Sequence, residues 1–141
     1  MNVTYSVNRG FGGGYTISIF TGGASGWRVR RIPVKGDYDP SEFERILEPA
    51  ECQALMAELK RIRIPVFAGG AMGLDGVSYK LQIESGFTRL ALRWWMRLPR
   101  EWEDIAPLLA MLSSLADRRE GRSPPEQRGV WPPLYESMTD D

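Results

Sequence analysis

The run GVSYKLQIESGFTRLALRWWMR, from Gly76 to Arg97, has the clearest periodicity in the chain and decides its fold class. Val77, Tyr79, Leu81 and Ile83 alternate with Ser78, Lys80, Gln82 and Glu84, the two-residue period of a strand with one buried face. After Ser85 and Gly86 a second run sets Thr88, Leu90, Leu92 and Trp94 against Arg89, Ala91, Arg93 and Trp95. With Ser85 and Gly86 as a two-residue loop, the register is fixed. Glu84 then faces Phe87, Ile83 faces Thr88, Leu81 faces Leu90, Tyr79 faces Leu92 and Val77 faces Trp94. Directly opposed residues share a face of the sheet, so apolar positions meet apolar or Thr positions throughout. The reading is a β-hairpin.

Working outward, Val3, Tyr5 and Val7 alternate with polar residues and predict a first strand. Tyr15, Ile17 and Ile19 predict a second, and Trp27 to Ile32 a third that carries Arg28, Arg30 and Arg31. Glycine clusters separate them, as in an antiparallel meander. Asp39, Pro40 and Ser41 can open a short helical turn reaching Leu47. From about Glu48 to Arg61, Cys52, Leu55, Met56, Leu59 and Ile62 share one helical face, with Glu51, Glu58, Lys60 and Arg61 outside it. Ile64 to Phe67 is a connector, and Ala68 to Gly73 a loop. A turn over Glu101 to Asp104 precedes a second helix near Pro107, with Leu108, Met111, Leu112 and Leu115 as its apolar face. Arg118, Arg119 and Gly121 suit its end. The fold expected is α+β: an antiparallel sheet of about five strands in the order β-β-β-α-β-β-α, with both helices packed on one sheet face. Residues 1–121 form one domain, and 122–141 an extended Pro-rich tail holding Pro124, Pro125, Pro132 and Pro133.

Composition narrows the function. The chain has 141 residues, with 18 Lys and Arg against 18 Asp and Glu, so its formal net charge is zero, which argues against a protein built to neutralise nucleic-acid phosphates. Cys52 is its only cysteine, so no disulfide closes within the chain. With no leader pattern and no apolar run near a membrane span, the expectation is a cytoplasmic protein.

There is no histidine, which removes the commonest general base, the usual serine and cysteine hydrolase arrangements and most zinc sites. Cys52, on a helical face with Leu55 and Leu59, reads as a small buried residue. Glu42, Glu44 and Glu48, like Glu101, Glu103 and Asp104, cluster as acids do at helix starts. The glycine clusters at 10–14, 22–26 and 69–73 lack the Lys-Ser/Thr of a P-loop and run into strands. They read as inter-strand loops, although a small-residue loop such as Phe11 and Gly12 could also enter a partner's cleft. No catalytic residue, metal-ligand set or cofactor is therefore expected. Pro132 to Tyr135 fits the Pro-Pro-x-Tyr pattern read by WW domains, a match that four residues make often by chance.

The most suggestive group lies on the outer face of the hairpin, where Trp95 shares a side with Arg89, Arg93 and Arg97, and Phe87, Lys80 and Gln82 are near. Trp and Arg are enriched at interface hot spots. Either the tail, with Trp131, Pro132 and Pro133, covers this set, or another molecule does. Stacking on rings beside arginines would also suit single-stranded nucleic acid, against which the zero net charge counts.

A strand, the turn Gly10, Phe11, Gly12, Gly13, a second strand, a helix, a hairpin and a closing helix resemble emfourin-like protease inhibitors, from which Trp94, Trp95 and the long tail depart. The hairpin ending in Trp94 and Trp95 with Pro99 and Trp102 resembles a pattern in other small bacterial inhibitor and immunity proteins. The emfourin-like layout spans about residues 3 to 116. It implies a protein that binds another protein without chemistry of its own, and it assigns no role to single residues. The leading expectation is a non-enzymatic immunity protein or inhibitor that occludes a co-encoded bacterial toxin or enzyme. Its contacts would be Arg89, Arg93, Trp95 and Arg97, or Phe11 and Gly12, with no membrane, nucleic-acid or small-molecule partner. The alternatives are a small enzyme or ligand-binding domain in which Asp75, Glu101 or Glu103 converge, and a structural subunit of a larger assembly.

Overall fold

A computed structural model of the chain describes residues 1–10, 12–21, 26–66 and 76–117. Its strands are β1 (Asn2–Asn8), β2 (Gly14–Thr21), β3 (Trp27–Val34), β4 (Phe43–Ile46), β5 (Ser78–Ser85) and β6 (Thr88–Trp95); its helices are α1 (Pro49–Arg61) and α2 (Ala106–Asp117). The strands make one antiparallel sheet in the order β4-β3-β2-β1-β5-β6. This is α+β, with six strands where about five are expected from sequence. The chain divides into two compact units, one holding the sheet and ending at Met96, the other holding both helices.

The extra strand is β4, which replaces the helical turn expected before Leu47. Phe43 and Arg45 alternate with Glu44 and Ile46, and β3 supplies a partner edge. Arg28 and Arg30, the charges that weaken β3 on paper, both hold Glu44, at 2.7 and 2.6 Å. Cross-strand pairs of opposite charge are sheet-forming contacts, and they outweigh the helix-start signal of Asp39 and Pro40.

The central register runs Ile17, Tyr5, Leu81, Leu92 across β2, β1, β5 and β6, all buried. Two residues along β1 from Tyr5, Val3 sits between Ile19 and Ile83. At the end of the sheet nearest Asn8, Tyr79 and Trp94 are directly opposed, with ring centroids 5.5 Å apart. Both stack on Tyr5 at 6.4 Å. Offset stacking of this kind adds about 0.5–1.5 kcal/mol per pair beyond area burial.

At the other end of the β1–β2 connection a glycine is required. Gly14 opens β2 at φ +145°, and a Cβ there would sit 2.0 Å from the Val7 carbonyl oxygen. Only hydrogen fits where β2 passes this close to β1.

In the second unit, Pro49 sits at the first position of α1, where its fixed φ is tolerated. Leu55 is fully buried, but Cys52 is only half-buried, and Glu51, placed outside the apolar face by periodicity, is buried. A 3-10 turn, Arg100–Ile105, leads into α2, whose Leu108, Leu109, Leu112 and Leu115 are buried. The helices pack on one another. Arg61 at the end of α1 reaches Asp104 at 2.7 Å, and the Arg63 amide donates to the same carboxylate at 2.6 Å. The Trp102 indole N–H donates to the Pro65 carbonyl at 3.2 Å. These contacts tie the exit of α1 to the 3-10 turn.

Candidate functional site

The hairpin's loop is Gly86 and Phe87, not Ser85 and Gly86. Ser85 pairs with Thr88, Glu84 with Arg89, Ile83 with Leu90, Leu81 with Leu92 and Tyr79 with Trp94. The register is thus displaced by two residues from the one expected. The cause is Gly86, whose φ of +58° occupies the first loop position, as in turns that take glycine there. A two-residue displacement preserves the faces, since side chains alternate with period two. It also leaves Phe87 at the tip, fully exposed.

Arg89, Ala91, Arg93 and Trp95 therefore project from the polar face, opposite Glu84, Gln82, Lys80 and Ser78. Further in, the same face carries Asn2, Thr4, Ser6 and Asn8 of β1, and Ser6 and Thr16 share a hydroxyl hydrogen bond of 3.2 Å. Arg89 pairs with Glu84 at 3.2 Å, while among the described residues no carboxylate pairs with Arg93. Lys80 opposite Arg93 doubles the positive charge at that level. Trp95 is half-buried, with its indole nitrogen close over Gly76.

Arg97 does not belong to this set. β6 ends at Trp95, Met96 takes the left-handed conformation at φ +61°, and Arg97 starts the second unit. A non-glycine residue at such φ marks a sharp local change of direction, which strand alternation cannot anticipate. Gly12 is exposed, with open space around its Cα. Phe11, Asp75, the 67–73 stretch, Arg118, Arg119, Gly121 and the 122–141 tail lie outside the described residues.

β6 is the outermost strand, hydrogen-bonded in the sheet only to β5. In an antiparallel pair, residues alternate between those bonding the neighbour and those whose N–H and C=O point away from it. The Met96 amide donates to the Val77 carbonyl at 2.7 Å, which fixes the phase. Met96, Trp94, Leu92, Leu90 and Thr88 bond β5. Arg89, Ala91, Arg93 and Trp95 turn their backbone groups to the outside.

A second constellation was missed by sequence reasoning. Asp37, just past β3, has a buried side chain held by Arg31 at 2.5 Å and by Arg9. Arg31 also donates to the carbonyls of Asp39 and Ser41, at 2.9 and 3.2 Å. The Arg31 and Arg9 guanidinium groups lie 4.8 and 5.5 Å from the Tyr15 ring centroid, and Tyr38 covers Arg9 at 4.7 Å. Burial by itself pushes the Asp37 carboxyl up, but hydrogen bonds and charge from Arg31 and Arg9 outweigh it and hold the group below its ordinary value. Burial pushes the Tyr15 phenol up to about 12, against the lowering pull of both arginines. The available signal was parity: Arg31 falls on the same side of β3 as Val29, which is buried. With the Asp37 carboxylate shared between two arginines, this cluster ties the loop after β3 to the loop after β1.

Glu101 and Glu103 are exposed on the 3-10 turn, and among the described residues no three His, Cys, Asp or Glu side chains group as a metal site would require. No helix of the described residues is long and apolar enough to cross a membrane. No family model matches this chain, and no curated protein matches it significantly.

Proposed function

We propose that this chain is a non-enzymatic protein-binding module, an inhibitor or immunity protein that works in the bacterial cytoplasm by covering a toxin or enzyme. The observation that carries this reading is the outermost strand β6, which presents Arg89, Arg93 and half-buried Trp95 on one exposed face beside Lys80. Arginine and tryptophan are the residues that dominate binding energy where they gather on a surface. An arginine without an ion-pair partner among the described residues is available for a carboxylate on another molecule. The emfourin-like layout points the same way.

The test is capture from the native host with a tagged chain, followed by identification of whatever is retained in stoichiometric amount. A single enzyme or toxin, retained by the wild type and weakened about 30-fold or more by Arg93→Ala with Trp95→Ala, supports the proposal; that factor corresponds to the ~2 kcal/mol expected of a hot spot. Unchanged retention by the double variant rules out this face. No protein partner at all rules out the function.

A further inference from the structure

We infer that the binding mode at this face is strand addition: β6 takes up an extended, acidic-apolar segment of the partner as a seventh strand. This rests on the protein-binding reading above and deepens it. Two independent features coincide on β6. The backbone groups that face outward belong to Arg89, Ala91, Arg93 and Trp95, as the Met96–Val77 hydrogen bond establishes. The side chains of those same four residues lie on the polar face, where Arg89, Arg93 and the neighbouring Lys80 are cationic. An incoming strand that bonds the outward groups would set its own side chains directly opposite these four.

Charge then selects the occupant. Residues opposite Arg89 and Arg93 are favoured if acidic, and residues opposite Leu90, Leu92 and Trp94, on the buried-side parity, are favoured if apolar. The segment is therefore alternating, acidic on one side and apolar on the other. A second copy of the chain is disfavoured. Two β6 strands paired antiparallel about Ala91 would put Arg89 against Arg93 twice, and like charges directly opposed destabilise a sheet. The other edge, β4, is less suited: it has 4 residues against 8, and its Glu44 is already engaged by Arg28 and Arg30. Main-chain bonds would supply affinity, and the side-chain alternation specificity, as in other complexes formed by adding a strand to a sheet edge.

The test uses the full chain and a capped heptapeptide of alternating Glu and Val, with a Lys-Val peptide as control, read by amide hydrogen exchange. In the free protein, amides of Leu90, Leu92 and Trp94 should exchange slowly and those of Arg89, Ala91, Arg93 and Trp95 quickly. Adding the Glu-Val peptide should slow the second set at least 10-fold, and the Lys-Val peptide should not. Ala91→Pro removes one outward N–H without touching the β5 ladder, and should weaken peptide binding at least 10-fold while leaving the slow amides slow. Several results would overturn the inference. Outward amides that are already protected in the free protein, or that become protected only as protein concentration rises, show that the edge is taken by this chain or its copy. Equal binding of both peptides refutes the acidic preference, and absence of binding at millimolar Glu-Val peptide refutes the occupant. If the natural partner is lost on Arg93→Ala with Trp95→Ala but held by Ala91→Pro, the protein-binding reading stands and strand addition falls.

Discussion

Replacing Asp37 by asparagine keeps the shape of the side chain and removes its charge. The Asp37 side chain is 1% exposed and that of Arg31 11%, so the variant leaves a nearly buried guanidinium without a counter-charge. Removing one member of a buried pair costs about 3–5 kcal/mol. Two observations place this case at the lower end. Arg31 keeps its bonds to the carbonyls of Asp39 and Ser41, and Arg9, 25% exposed, can turn to water. The expected loss is therefore ~3 kcal/mol at neutral pH, or roughly 10 °C in Tm for a chain of this length. Urea unfolding followed by tryptophan fluorescence measures it, provided the slope is the same in both proteins. The pH dependence has a definite sign. A carboxyl held below its unfolded value stabilises the fold above that value and loses the contribution as pH falls through the folded one. The gap between wild type and Asp37→Asn should thus be full above about pH 5 and narrow below about pH 4. A gap under about 1 kcal/mol, the range of an exposed ion pair, would refute the account. So would a gap that is the same at about pH 2.5 as at neutrality.

Two glycines with different surroundings should respond differently to alanine. Gly14→Ala drives a Cβ to 2.0 Å from the Val7 carbonyl oxygen and must separate β1 from β2, whereas Gly86→Ala meets nothing within 4 Å and bears only backbone strain. Unfolding measurements should show about 1–2 kcal/mol for Gly86→Ala and clearly more for Gly14→Ala; equal costs would contradict the register. At high pH, Tyr15, with its phenol pushed up to about 12, and Tyr5, raised well above 10, stay neutral in the fold and ionise first in the unfolded chain. Stability they contribute is complete below about pH 10 and disappears as pH rises toward 12. A tyrosinate absorbance titration should show both ionising together with unfolding, and ionisation of every tyrosine near pH 10 in an intact fold would refute it.

The hairpin strands, β1, β2 and both helices were legible because each carries a hydrophobic period, and β3, though Arg31 interrupts its period, was legible as the third strand of the meander. What escaped was set by contacts distant in sequence. Phe43 to Ile46 is too short to declare itself a strand, and it becomes one because Arg30 lies across from Glu44 and Arg28, across from Ile46, reaches the same carboxylate. Glu51 is buried on a helix whose periodicity points it outward. Arg31 and Arg9 converge on Asp37 from positions 6 and 28 residues away. On the candidate face, Arg89, Arg93 and Trp95 were placed together by alternation alone, but Arg97 was carried along by a period that Met96 interrupts.

The register of the hairpin shows how little of a binding edge is contained in side-chain patterning. Displacing β6 by two residues keeps Leu90, Leu92 and Trp94 on one face and Arg89, Arg93 and Trp95 on the other. The hydrogen-bonding phase does not survive the same displacement. With Ser85 and Gly86 as the loop, Glu84 and Phe87 would close the ladder, and the odd-numbered residues of β6 would bond β5. The outward groups would then belong to Leu90, Leu92 and Trp94, and an added strand would meet apolar side chains at its bonded positions. With Gly86 first in the loop, Ser85 and Thr88 close the ladder, and the outward groups pass to Arg89, Ala91, Arg93 and Trp95. A single glycine's positive φ thus decides that the open backbone of this edge coincides with its cationic side chains. That coincidence, more than the number of arginines, is what the proposed preference for an acidic strand rests on.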